Sequence, residues 1–240
     1  MRITILCENT ASSLGLIGEH GFSTLIERDH EKVLFDTGQG LGLVHNADVL
    51  GVDLRDITEV VLSHGHYDHT GGLKDLLFRT GGARITAHPN IFQPKYARRN
   101  GKVRYIGIPF SQKAIEGWGG ELRFSEDAVE IAPGIMTTGV VPRQTAFEGR
   151  DNDLLIKTEK GYEEDELLDD LSLIVDTPQG PVVVLGCAHA GLINILTHVK
   201  ALTGRNAVHW VLGGTHLGFF GPQRVDEVIG ELRSFAIDNL

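Results

Sequence analysis

Apolar residues along this chain come in short runs whose spacing switches between strand and helix. Arg2 to Glu8, with Ile3, Ile5 and Leu6, reads as a strand, and a loop rich in glycine, serine and histidine follows from Asn9 to Gly21. Strands at Ser23 to Glu27 and Val33 to Asp36, joined by a turn at Asp29-His30, extend it into an antiparallel meander. Apolar residues then recur at helical spacing from Gly40 to Leu50. Thr58 to Leu62 reads as a buried strand, a helix starts after Gly72 with Leu73, Leu76 and Leu77, and Ala83 to Ala87 returns to strand. From Pro89 to Thr145 the periodicity fades among prolines and glycines, which predicts loops and short strands walling a cleft. Leu171 to Asp176 and Val182 to Leu185 form a hairpin around Pro178-Gln179-Gly180. Gly191 to Leu202 is a helix and Ala207 to Leu212 a strand, and Val225 to Ile237 closes the chain as a helix with Val228, Ile229, Leu232 and Phe235 on one face. Two halves of similar grammar predict an α/β domain over residues 1–240, with two sheets packed face to face and helices outside.

Composition narrows the function. With 22 Lys+Arg against 32 Asp+Glu, the net charge of −10 disfavours a broad grip on nucleic acid or anionic lipid and points to a small-molecule partner. Two cysteines 180 positions apart, Cys7 and Cys187, suit a reducing compartment. Without a run of about 18 apolar residues or a charged leader, a soluble cytoplasmic location is the expectation.

The unusual feature is the 11 histidines, three of them within Ser63-His64-Gly65-His66-Tyr67-Asp68-His69-Thr70-Gly71-Gly72. Three His and one Asp at these four places arise by chance in on the order of one such chain in a thousand. Imidazole and carboxylate donors so close together on a loop converge naturally on a divalent metal: zinc, with iron or manganese as alternatives. A metal with an open position lowers the pKa of water there and acts as a Lewis acid, which suits hydrolysis or phosphoryl-type displacement.

This segment, with Asp36-Thr37-Gly38 upstream, resembles the metal-binding signature of the metallo-β-lactamase superfamily, whose fold is a four-layered αββα sandwich. Together with Gly18-Glu19-His20-Gly21, Gly186-Cys187-Ala188-His189-Ala190-Gly191 and Gly213-Gly214-Thr215-His216-Leu217, it is similar to one branch, the dihydropterin/ribofuranosylaminobenzene phosphate synthase-like proteins. The resemblance implies one or two ions, with His64, His66 and His189 at one and Asp68, His69 and His216 at the other. Asp68 also serves as the catalytic group that orients the nucleophile. It implies a metal-dependent enzyme acting on a phosphorylated or pyrophosphorylated small molecule. The alternatives are a generic metallo-hydrolase of phosphodiesters or lactones, and a non-catalytic metal- or ligand-binding protein. The chain departs from the superfamily pattern in two places: Thr137-Thr138-Gly139 and Pro142-Arg143 lack the usual histidine, and Cys187 stands where an Asp is expected.

Other residues carry two readings. Cys187 is a metal thiolate or, as the favoured reading, a buried free cysteine. Glu19 and His20 either stabilise a turn or line the cleft rim and touch substrate, and His88 is more simply a strand-end histidine bonded to backbone. Asp36 is expected to accept a hydrogen bond from the histidine loop and fix ring orientation. Lys95, Arg98, Arg99, Lys102 and Arg104 form a solvated basic loop or an anion pocket, and Arg143 is a candidate anion clamp. Tyr96, Tyr105 and Phe110 pack in the core or stack on a substrate ring, and the acidic run from Glu163 to Asp170 is a solvated turn.

Overall fold

Strict two-residue alternation in the central strands decides the architecture, because each strand buries both of its faces against different layers. The computed structural model describes residues 1–148 and 150–240. Its first half runs β1 (Arg2–Cys7), β2 (Ser23–Arg28), β3 (Glu31–Phe35), α1 (Leu43–Leu50), β4 (Glu59–Val61), α2 (Tyr67–Thr70), α3 (Leu73–Thr80), β5 (Ala83–Ala87), β6 (Lys95–Arg99), β7 (Lys102–Tyr105), α4 (Gln112–Gly117) and β8 (Gly120–Phe124). The second half runs β9 (Glu130–Ala132), β10 (Ile135–Thr137), β11 (Leu154–Thr158), β12 (Gly161–Glu164), β13 (Ser172–Val175), β14 (Val182–Leu185), α5 (Leu192–Thr203), β15 (Ala207–Gly213), α6 (Pro222–Leu232) and β16 (Ala236–Asn239).

Two six-stranded sheets result, ordered β1-β2-β3-β4-β5-β8 and β16-β15-β14-β13-β10-β9, with a smaller antiparallel sheet ordered β12-β11-β6-β7. Ile26, Val33, Phe35 and Val61 of the first large sheet pack against Leu173, Val175, Val182 and Val184 of the second. Their chain neighbours point the other way. Leu25, Leu34 and Val60 meet Leu43 of α1 and Leu73, Leu76 and Leu77 of α3. Ile174, Val183 and Leu185 meet Leu192, Ile195 and Leu196 of α5. This layering is the expected αββα sandwich. Among the described residues no helix is long and apolar enough to cross a membrane.

The predicted meander of the first three strands is antiparallel, as expected. The stretch from Pro89 to Thr145 carries the expected short strands, β6 to β10, and adds the helix α4. Two expectations are corrected. The closing helix ends at Leu232, and Ala236–Asn239 instead pairs in parallel with β15, where Ile237 joins the apolar layer under α5. The acidic run is not a solvated turn, because Asp165, Asp169 and Asp170 are buried.

Parallel pairing positions the site. β3 and β4 run parallel with Phe35 opposite Val61, so Asp36 and Ser63 leave the sheet at the same end. β14 and β15 are parallel with Leu185 opposite Gly213, so Cys187 and His216 follow from adjacent strand ends, tied by a hydrogen bond from Gly214 N to Gly186 O. Gly186 lets the two sheets approach there, since a Cβ on it would stand 2.3 Å from Ser63 Oγ.

Candidate metal centre

The chain leaves β4 through Ser63 into the histidine loop, and one buried carboxylate organises it. Asp36 Oδ1 accepts from Ser63 N at 2.7 Å, and its Oδ2 accepts from Ser63 Oγ at 2.6 Å and from His69 Nδ1 at 2.6 Å. Ser63 Oγ in turn lies 2.8 Å from His64 Nδ1. Both imidazoles are thereby fixed through Nδ1 and turn Nε2 inward, the orientation that carboxylate support gives a ligating histidine. The role expected of Asp36 matches this geometry.

Three overlapping groups of donors gather here: His64, His66 and His189; His64, His69 and Cys187; and Cys187, His189 and His216. Within each group the donor atoms lie within 4.8 Å of one another. His69 Nε2 is 3.1 Å from Cys187 Sγ and 3.6 Å from Asp68 Oδ2. The Nε2 atoms of His66 and His189 are buried without a hydrogen-bond partner. The orphan at His189 costs roughly 1–3 kcal/mol, a penalty that a coordinated cation offsets, and His66 turns Nδ1 to within 2.9 Å of His64 Nε2, so the donor set fits a metal. Burial pushes His64, His66 and His189 well below the usual histidine range, leaving them neutral with free lone pairs. For His69 burial acts in the same direction, but Cys187, Asp36 and Asp68 outweigh it and hold it well above that range. Burial raises the Cys187 thiol against the pull of His69.

Strain collects at the same turns. Among the described residues, six other than glycine have positive φ, and three of these, Asp36, Ala188 and His216, carry or flank the cluster at φ of 59°, 54° and 50°. Such conformations cost of order 1–3 kcal/mol each and persist only where surrounding contacts fix them.

The cluster opens into a cavity of about 610 Å³ lined by His20, His66, Tyr67, Asp68, His189, His216 and Phe219, with Arg99, Lys102 and Arg104 on the wall made by β6 and β7. Arg99 is paired with Asp151 and Asp153. Arg104 Nη2 donates to Tyr67 Oη at 3.0 Å, and Lys102 has no charged partner among the described residues. A second cavity of about 410 Å³, on the side of β1 and the loop after it, shares His20, Asp68 and Cys187 with the first.

The candidates singled out in the sequence sort as follows. His64, His66, His69, His189, His216 and Asp68 come together. His20 lies at the rim, with Nε2 3.3 Å from Asp68 Oδ2. Glu19 does not face substrate: its two oxygens accept from the backbone N–H groups of Gln39, Gly40, Leu41 and Gly42, a buried nest that stabilises the loop after Asp36. Arg143 is not an anion clamp, because its guanidinium donates to the carbonyls of His189 at 2.6 Å and Glu166 at 2.9 Å. Cys187, read as a packing residue, is instead half-buried with its sulfur among the donors. His88 accepts from Asn90 N at 3.0 Å, the backbone role favoured for it. The basic run divides, since Lys95 is buried between Asp165 and Asp169, 2.8 Å from each. Tyr96 and Tyr105 pack on each other and Phe110 on Trp118, so the aromatics at the cleft are Tyr67 and Phe219, the latter stacked on His216. Tyr67, sitting inside the histidine motif, was visible in sequence; Phe219 carried no signal.

Comparison with known proteins accords with this geometry. A family model described as the metallo-beta-lactamase superfamily matches residues 16–225. The chain is 34% identical to the protein MJ0448 of Methanocaldococcus jannaschii, over 97% of this chain and 86% of the relative. It is 30% identical to the 7,8-dihydropterin-6-methyl-4-(beta-D-ribofuranosyl)-aminobenzene-5'-phosphate synthase of the same organism, over 92% of this chain and 79% of the relative. A crystal structure described as a metal-dependent hydrolase of the beta-lactamase superfamily superposes with a TM-score of 0.82 at 30% identity, covering 98% of this chain and 84% of the other.

Proposed function

The chain belongs to the metallo-beta-lactamase superfamily, and from that premise we propose that it is a metal-dependent enzyme acting on a phosphorylated or pyrophosphorylated small molecule, as its likeness to the pterin-related synthase suggests. One observation carries the reading: the unpartnered Nε2 atoms of His66 and His189 belong to residues that share a single cavity with the cations Lys102 and Arg104. His64, His66 and His189 would hold one ion, and Asp68, His69 and His216 the second. Cys187 joins them, because its sulfur belongs to two of the three donor groups. An imidazole–thiolate set suits zinc, and iron or manganese are the alternatives. When bound, such an ion supplies Lewis acidity toward a substrate oxygen and a nucleophile at neutral pH.

The chain's own groups do the rest. Lys102 and Arg104 bind the phosphate, with Arg104 steadied by Tyr67. Asp68 orients the nucleophile and hands its proton to His20 at the rim, 3.3 Å away. Phe219, stacked on His216 at 4.4 Å between ring centres, covers that ligand and limits water at the site.

The test combines metal analysis of the purified protein with turnover of dihydropterin pyrophosphate plus an arylamine, set against phosphodiesters and lactones. Bound divalent metal and turnover of the first pair are expected. Turnover of only the second set favours a general metallo-hydrolase, a reading supported by the hydrolase at 30% identity. Bound metal with no turnover in either set favours a binding protein, and protein that takes up no divalent ion overturns the proposal. Lys102→Ala and Arg104→Ala are each expected to raise KM for the phosphorylated substrate about tenfold, ~1.4 kcal/mol, with kcat little changed. A wild-type KM in both would remove these cations from substrate binding.

A further inference from the structure

His189 sits on a turn held by a set of backbone hydrogen bonds. Ala188 has φ 54°, and its carbonyl accepts from Gly191 N at 2.9 Å. The carbonyl of His189 accepts from Arg143 Nη1 at 2.6 Å, and the N–H of Ala190 donates to Asp170 Oδ2 at 2.8 Å. Those two groups belong to the same peptide bond. One arginine and one aspartate, 46 and 20 residues away in sequence, therefore grip opposite edges of the single peptide plane that follows His189. The next carbonyl, of Ala190, accepts from Asn194 Nδ2 at 2.9 Å, and Asn194 Oδ1 accepts from Gln144 N and Thr145 N, which ties the Arg143 loop to the first turn of α5. Glu148 completes the tie by accepting from Ile193 N and Asn194 N.

We infer that Arg143 and Asp170 are positioning residues for the ion at His64, His66 and His189, fixing the peptide after His189 so that its Nε2 meets the other two imidazoles. The inference rests on the metal reading of the cluster and extends it to two residues that touch no ion. Ala188 is in a left-handed conformation that a residue with a Cβ adopts only when held. The ring of His189 stands 4.8 Å from that of His64 and 5.2 Å from that of His66. A rotation of the 189–190 peptide would carry the ring with it, and no other side-chain hydrogen bond holds that peptide among the described residues. The loop that in the superfamily pattern supplies a histidine here supplies the arginine that steadies a different one. Asp170 is buried and its second oxygen, Oδ1, has no hydrogen-bond partner, so its hold on the turn runs through Oδ2.

The experiment measures Zn²⁺ affinity by chelator competition and the visible spectrum of the Co²⁺-loaded protein, for wild type, Arg143→Met, Asp170→Asn and the control Val199→Ala, which trims the core of α5 without touching the turn. Melting temperature is recorded for each. Arg143→Met and Asp170→Asn are expected to weaken the tighter of the bound ions, or the single ion, about 10- to 100-fold and to alter the Co²⁺ spectrum. Val199→Ala should lower the melting temperature and leave both readouts unchanged. Should Arg143→Met fail to fold, Asp170→Asn, which keeps the side-chain volume, decides. Wild-type affinity and spectrum in the folded variants overturn the inference while leaving the metal reading intact, whereas wild-type protein that binds no ion defeats the metal reading itself. Affinity lost equally in Val199→Ala would also overturn the inference, by tracing the effect to general loosening.

Discussion

His66→Ala is expected to leave the protein with one ion fewer than wild type, and His66→Ala combined with Asp68→Ala to abolish turnover, a loss of at least about 10³-fold or ~4 kcal/mol in activation free energy. The size follows from the position of each group. His66 Nε2 is buried without a protein partner, and Asp68 Oδ2 lies between His69 and His20, 3.6 Å from one and 3.3 Å from the other. Neither side chain has a neighbour that takes over its task. Stability should follow metal content: an ion held at a hundredfold excess over its dissociation constant contributes about 2.7 kcal/mol. The apo wild type should therefore melt earlier than the loaded form, and His66→Ala should gain less on loading. Metal stoichiometry, thermal melts with and without chelator, and steady-state rates check this. Wild-type metal content and rate in the double variant would exclude the site.

Lys95→Ala should cost about 3–5 kcal/mol of stability, because it leaves the carboxylates of Asp165 and Asp169 buried without a counter-charge. Burial by itself disfavours the Lys95 ammonium, yet the two carboxylates outweigh it and raise its pKa, so the ammonium stays charged. The carboxylates have further commitments. Asp165 Oδ1 accepts from Leu167 N, and Asp169 Oδ2 accepts from Gly65 N at 2.8 Å. Gly65 lies between His64 and His66, so the same substitution should also weaken ion binding. Set against a typical total stability of about 5–15 kcal/mol, the loss takes roughly a fifth of it at the least. A urea midpoint matching wild type would show that the triad is not what holds this corner of the fold.

The αββα layers were readable because the short apolar runs of β3, β4, β13 and β14, buried on both faces, are a local property of the chain. The motif from His64 to His69 was readable because its donors lie within six residues. Reading failed where a residue's meaning depends on a distant partner. Lys95 looked like a member of a solvated basic run until Asp165 and Asp169, 70 and 74 residues on, enclosed it. Glu19 carried two readings, turn stabiliser or rim residue, and the four N–H groups that decide for the first belong to the loop after β3. The closing helix was expected to run to Ile237, and only parallel pairing of Ala236–Asn239 with β15 made its end a strand.

The sequence by itself determined the family, the layered fold and the local half of the donor set, since hydrophobic alternation and donor spacing act over a few residues. The resemblance already implied that His189 and His216 join that donor set, and the tertiary structure alone decided that Cys187 reaches it, that Arg143 donates to the His189 carbonyl, and which cations face the cleft. The physical reason is that parallel pairing of β3 with β4 and of β14 with β15 brings strand ends from across the chain to one edge of the sandwich. Such pairing is a property of the packed sheets, and no single segment of the chain contains it.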